Sequence, residues 1–404
     1  MSPEKLLPAV ASWLVLVVPA FTQQIATFRP EVAPANAATP VGVNLARITK
    51  VKPDKITLLE VSAEGSTPVP FQVTDGMLCW ILNPGATKYE LRRGTKPPAN
   101  RVAVVDKDGS LTIEASGKPL LQYHYATVYP PEGVDSAYKR SGFIHPLWSP
   151  HGQVLTRIQP KDHYHHYGIW NPWTHVLYEG DTVDFWNLRG RKGTVRFAKL
   201  ESTTSGPVFG GYRVLHEHVV LRGDEEEVAL NELQTVRIYA PDNEPYYLVD
   251  LTFEMKCATE SPVHLLEYRY GGLGWRTTEE WNKDNSKVIT SEGKTRRDAD
   301  GSKARWCIVE GEVGGDYAGV VMMSHPTNYN HPEPLRIWPE NQYGRGDMFA
   351  NFSPTRDTDW LLEPGKTYVL KYRLLVYNGP MTAAKAEAAW QAFVTPPAIT
   401  TTTN

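Results

Sequence analysis

Three runs decide the fold: residues 211–221, G-Y-R-V-L-H-E-H-V-V-L; 233–240, L-Q-T-V-R-I-Y-A; and 246–256, Y-Y-L-V-D-L-T-F-E-M-K. Apolar and polar residues alternate along each, as with Leu251, Phe253 and Met255 against Asp250, Thr252 and Glu254. A period of two puts alternate side chains on opposite faces of an extended chain. One apolar and one polar face is the pattern of an antiparallel strand packed on one side. The same rhythm continues outward in V-H-L-L-E-Y-R-Y (263–270), R-W-C-I-V-E (305–310), A-G-V-V-M-M-S (318–324) and Y-V-L-K-Y-R-L-L-V-Y (368–377). The expected fold is mainly β: a large antiparallel β-sandwich.

Toward the N-terminus, residues 116–142 hold L-L-Q-Y-H-Y-A-T-V-Y, a further strand. Residues 41–115 alternate short β-type runs with breaks such as Asn83-Pro84-Gly85 and Asp108-Gly109. They read as a small N-terminal β domain or as extra N-terminal strands on the main sheet. Residues 21–40 are rich in Ala and Pro without periodicity and are expected to be a flexible lead-in. Residues 1–20 read as a signal peptide, with Lys5, an apolar run from Leu6 to Val18, and Ala20 near a cleavage point. A retained anchor is the other reading, but the run is shorter than the roughly 20 residues a spanning helix needs. Export, to the periplasm or beyond, follows from this reading, with no membrane span left after cleavage. Toward the C-terminus, M-T-A-A-K-A-E-A-A-W-Q-A-F (381–393) is an alanine-rich helix closing a main domain of residues 116–394. Residues 395–404 are expected to be a disordered tail.

The chain has 404 residues and a formal net charge of -3, which gives no electrostatic footprint for nucleic acid. Cys79, Cys257 and Cys307 form no CxxC; an exported chain could pair two of them. There is no Walker A loop and no G-x-G-x-x-G after a strand, so no nucleotide cofactor is expected.

The chemistry-bearing stretch is Phe143 to Trp170, with five of the twelve histidines: His145, His151, His163, His165 and His166. Histidine is the usual acid–base group near neutral pH and the commonest metal ligand. Read as a strand, the stretch puts His163 and His165 on one face and Tyr164 and His166 on the other. His163 and His165 would then be two ligands to a divalent metal. Alternatively one of them is a general base oriented by Asp162. His145, His325 or His331 would complete the metal set. His216-Glu217-His218 reads as a solvated strand face. Trp148, Trp170, Trp173, Trp186, Trp275 and Trp281 lie near the His-rich and Gly-rich segments, where flat rings suit a sugar. Arg157 and Arg276, the latter after the turn Gly271-Gly272-Leu273-Gly274, are candidates to grip hydroxyls or a carboxylate. The tripeptide Arg345-Gly346-Asp347 carries no signal by itself.

The chain resembles an exported bacterial family known as PmoA-like over about residues 120–390. Phe143-Ile144-His145-Pro146-Leu147, Asp162-His163, His165-His166, Gly168-Ile169-Trp170, Asp184-Phe185-Trp186, the 271–276 turn and the His325-Pro326 to His331-Pro332 loop carry the resemblance. The resemblance implies a galactose-mutarotase-like sandwich and a setting of sugar utilisation; the family label itself implies a metal-dependent oxygenase. The resulting expectation is an exported carbohydrate-active hydrolase, lyase or epimerase acting on a small sugar or glycan. His163, His165, His166, Asp162 and His145 would do the chemistry, and Arg157, Trp148, Trp170, Trp275, Arg276 and His325 would bind substrate. A non-catalytic carbohydrate-binding envelope protein is the alternative, and a metal-dependent oxygenase the last.

Overall fold

The computed structural model describes residues 23–32, 37–94, 99, 101–241 and 244–403. The signal peptide expected over 1–20 lies outside the described residues.

The three runs that open the reading are neighbours in one antiparallel sheet. Among the described residues its order is Gly193–Thr204, Phe209–Arg222, Glu225–Tyr239, Tyr246–Cys257, Tyr368–Asn378, Asp316–Ser324, Trp306–Val313, Ser286–Thr290. The register pairs Val214 with Gln234, Val236 with Leu251, and Val249 with Leu374. One apolar face is thereby continuous across the sheet.

That face packs against a second sheet, ordered Lys303–Ala304, Glu333–Ile337, Phe349–Phe352, Gly274–Arg276, Ile169–Trp170, Phe143–Leu147, Lys118–His124, Ser110–Ala115, Val102–Lys107. Ile144, Ile169, Trp275 and Ala350 project into the main core with Val214, Val236, Leu251 and Leu374. By alternation, Phe143, Trp170, Arg276 and Phe349 point the other way. There Phe143, Trp170 and Phe349 join Tyr167, Trp186, Leu188 and Trp338 in a separate aromatic layer. This outer layer carries the candidate site.

The strands 102–107 and 110–115 hydrogen-bond into the sandwich sheet, as the reading of extra strands on the main sheet expects, and carry the main domain N-terminal of residue 116. Two other domain expectations change. Residues 21–40 are not simply a lead-in. Gln24–Pro30 is a strand, with Ala26 and Phe28 buried and Phe28 stacked on Trp80. The expected tail also contains a strand, Ile399–Thr403, paired with Gln24–Pro30 in the sheet that holds Tyr89–Arg93, Ile56–Ser62 and Gly65–Pro68. Threonine-rich composition and flanking prolines hide that strand from a hydrophobicity reading, because its partner supplies the buried side chains. The expected helix is present as Ala383–Val394, capped by Thr382. It lays Ala386, Ala389 and Trp390 on the outer face of the first sheet. All three cysteines are free thiols. No helix among the described residues is long and apolar enough to cross a membrane.

Candidate functional site

The stretch 160–166 is a pair of turns, not a strand. His163 N–H donates to the Pro160 carbonyl and His166 N–H to the His163 carbonyl. The turns bring His163, His165 and His166 onto one side instead of alternating them. Ring centroids lie 5.4 Å apart for His163–His165, 4.7 Å for His163–His166 and 4.6 Å for His165–His166. Gly168 makes this possible. Its φ is +56°, and a Cβ there would sit 2.1 Å from the Ile144 carbonyl oxygen. Gly274 serves the layer beneath, since a Cβ on it would meet the Trp186 ring at 2.9 Å.

Asp162 organises the polar part. Its Oδ2 lies 2.8 Å from His163 Nδ1 and accepts from Arg276 Nη2 at 3.0 Å. Arg276 Nη2 also donates to Asp347 Oδ2 at 2.8 Å, and Arg157 Nη2 to the same oxygen at 2.6 Å. Arg345 Nε closes the cluster on Asp347 Oδ1 at 2.7 Å. The Arg276 guanidinium lies 4.5 Å over the Trp338 ring. Burial works to raise the Asp162 carboxyl, but the His163 hydrogen bond and the Arg276 charge hold it well below the usual range. Asp347 is lowered too, its Arg157 and Arg345 bonds outweighing burial. Burial, then the His163 charge, drives His165 down to about 3, and burial, then His165, puts His166 well below the ordinary imidazole value. Both are therefore neutral at pH 7. The His163 side chain is 15% exposed, its Nδ1 is held by Asp162, and its Nε2 has no hydrogen-bond partner among the described residues. Tyr343, 52% exposed, packs edge-on against it at 4.8 Å.

A family model matches residues 110–391. The chain belongs to DUF6807, a family of unknown function. No curated protein matches it. Two solved structures from Enterococcus faecalis align with this DUF6807 chain. One is an alpha-mannosidase from strain V583, at TM-score 0.42 and 7% identity over 94% of this chain and 46% of that one. The other is a protein in the glycosyl hydrolase family 38, at TM-score 0.43 and 8% identity over 95% and 48%. The chain spans about half the length of each.

Against the expected site of this DUF6807 chain, the structure brings together Asp162, His163, His165, His166, Arg157 and Arg276, packs Trp170 beneath His166 at 5.3 Å, and separates the rest. His145 turns its Nδ1 to Thr156 Oγ1 at 2.9 Å, and burial takes it down to about 4. His325 bonds Thr327 and packs on Phe393 of the C-terminal helix. Trp148 gives its carbonyl to the Tyr247 hydroxyl. Trp170, Trp173, Trp186, Trp275 and Trp281 are at most 2% exposed, so they fill cores rather than offering faces to a sugar. Trp275 spends its indole N–H on the Leu155 carbonyl. For the metal expectation, His163 and His165 supply two imidazoles that meet edge to face, and the Asp162 contact at His163 Nδ1 leaves Nε2 free, but no third ligand joins them among the described residues. Among the described residues no group of three His, Cys, Asp or Glu side chains is arranged to hold an ion.

His216 and His218 are not a solvated face. Both are buried, at 3.1 and 3.3 Å from the two oxygens of buried Glu232, with Tyr123 on His216 at 2.6 Å and Asn171 on Glu232 at 2.8 Å. Residues that sequence reading missed are Trp338, Tyr343, Arg345 and Asp347. Asp347 lies 190 positions from Arg157, a separation no local pattern reports.

An open groove lies elsewhere. A groove of about 470 Å³ runs between the N-terminal strands and the first sheet, lined by Val41, Asp75, Cys79, Arg237, Tyr239 and Pro397 among others. It holds no acid–base pair comparable to Asp162 and His163, so the chemistry is placed on the outer aromatic layer.

Proposed function

We propose that this protein is a carbohydrate-active enzyme working by metal-free acid–base catalysis, with His163 Nε2 as the proton-transfer atom. The observation that carries the reading is the Asp162 carboxylate at 2.8 Å from His163 Nδ1, with Arg276 fixing that carboxylate in turn. Asp162 holds the ring in one tautomer and stabilises the imidazolium formed when Nε2 takes a proton. His165 and His166, held neutral by burial, pack against His163 without competing for its proton. The exposed Tyr343 ring beside the dyad supports a sugar, offering the flat face that the buried tryptophans do not. A hydrolase, lyase or epimerase fits this arrangement.

A second reading, a carbohydrate-binding protein of the envelope, draws on the openness of the patch, where Tyr343 and Asp162 face solvent. The test is turnover of a panel of glycosides and 3-keto-glycosides, followed by NMR, for the wild type and His163→Ala, with melting curves for both. Loss of turnover at an unchanged melt supports the enzyme. Binding without turnover in the wild type, unaffected by His163→Ala and removed by Tyr343→Ala, supports the binding protein.

A further inference from the structure

The ion cluster under His163 is short of acceptors. Arg276 is fully buried, and its Nε and Nη1 have no hydrogen-bond partner. Arg157 Nε lacks one as well. Both guanidiniums donate to Asp347 Oδ2, Arg276 through the same Nη2 that reaches Asp162, while Arg345 takes Asp347 Oδ1 and the exposed Glu279 carboxylate stands 3.9 Å from Arg157. Two further buried arginines border the layer: Arg296 is answered by the carbonyls of Trp338, Gly346 and Asp347, and Arg140 donates Nη2 to the Phe185 carbonyl with its Nε unmet. Buried polar groups nearly always find partners, and an unmet N–H on a charged group is among the costlier exceptions. Positive charge with unused donors, packed beside a base, is a seat for acceptor oxygens that carry negative charge.

We propose that Arg157 and Arg276 bind the carboxylate of the substrate, making the substrate class a uronate-containing saccharide. This rests on the acid–base reading of His163. A planar carboxylate matches the guanidinium fork. It also explains the base. Neutralising a carboxylate makes the proton on the adjacent carbon acidic, which a neutral sugar does not offer. His163 Nε2 takes that proton. The electron pair left behind forms a C=C bond to the next carbon as its oxygen substituent departs, and His163 returns the proton to that oxygen. Entry is from the Arg157 side, where the guanidinium keeps 13% exposure beside the exposed Glu279.

The test uses the full chain, isothermal titration with digalacturonate and with its neutral counterpart, and the ultraviolet absorbance of a new C=C conjugated to carboxylate. Digalacturonate is expected to bind about 10- to 100-fold more tightly than the neutral disaccharide. The preference should collapse in Arg157→Gln, which is partly exposed and therefore tolerant, and return in part in Arg157→Lys. Equal binding of the two sugars, or a preference that survives Arg157→Gln, overturns the proposal, and a buried water then accounts for the unused donors. His163-dependent turnover of neutral sugars alone overturns the carboxylate seat and leaves the acid–base reading standing. Arg157-dependent binding of digalacturonate with no His163-dependent product from any saccharide upholds the seat and overturns the acid–base reading.

Discussion

At the residue scale, three histidines within four positions have unlike roles because their surroundings differ. His165 and His166 are desolvated and stay neutral, whereas His163 keeps a free Nε2 and a carboxylate partner. His163→Ala is expected to lower kcat by about 10²- to 10⁴-fold, the usual worth of a positioned acid–base group, with little change in the melt. Glu232 makes the opposite case, a charged group whose function is structural. Glu232→Ala leaves His216, His218 and Asn171 facing an empty site and is expected to cost about 3–5 kcal/mol in denaturant unfolding. Burial works to raise its carboxyl, but the hydrogen bonds to His216 and His218 bring it from 4.5 down to about 2. A depressed folded value gives stability that is present above pH 4.5 and lost as pH falls toward 2. The melting temperature of the wild type should therefore fall in that window, and the Glu232→Gln variant should show a shallower fall there. Equal slopes would contradict the account.

At the element scale, what was legible in the sequence was what alternation reports. The runs at 211–221, 233–240 and 246–256 are strands, and the alanine-rich helix is where its composition puts it. Three elements escaped. Gln24–Pro30 sits in a run whose composition reads as a lead-in. Ile399–Thr403 has no apolar face of its own, and 160–166 is bent by turns and by a glycine with positive φ, so a period of two misplaces its rings. Truncation after Ala398 is expected to leave Gln24–Pro30 as a sheet edge. Amide exchange should quicken in that strand while Tyr246–Cys257, at the centre of the first sheet, keeps its protection. Unchanged exchange in Gln24–Pro30 would contradict the pairing. Phe28→Ala, removing a ring stacked on Trp80 in the core of the N-terminal strands, should cost about 3–5 kcal/mol.

At the scale of the molecule, the sandwich gives each face of its second sheet a separate task. Inward residues complete the core, and outward residues build the aromatic layer on which the Asp162–His163 dyad stands. Half of the site was readable as residue types crowded into one stretch. The other half, Asp347 with Arg345 and Trp338, arrives through sheet topology from far along the chain and leaves no local trace. With three free thiols, the melt is expected to be indifferent to reductant, and three thiols should titrate in denaturant. The measurement that most directly tests the central claim is a double-mutant cycle on turnover with Asp162→Asn, His163→Ala and the pair. If the two act as one device, the double variant should lose no more than His163→Ala alone. Losses that multiply would mean that Asp162 and His163 act independently, and the dyad would have to be abandoned.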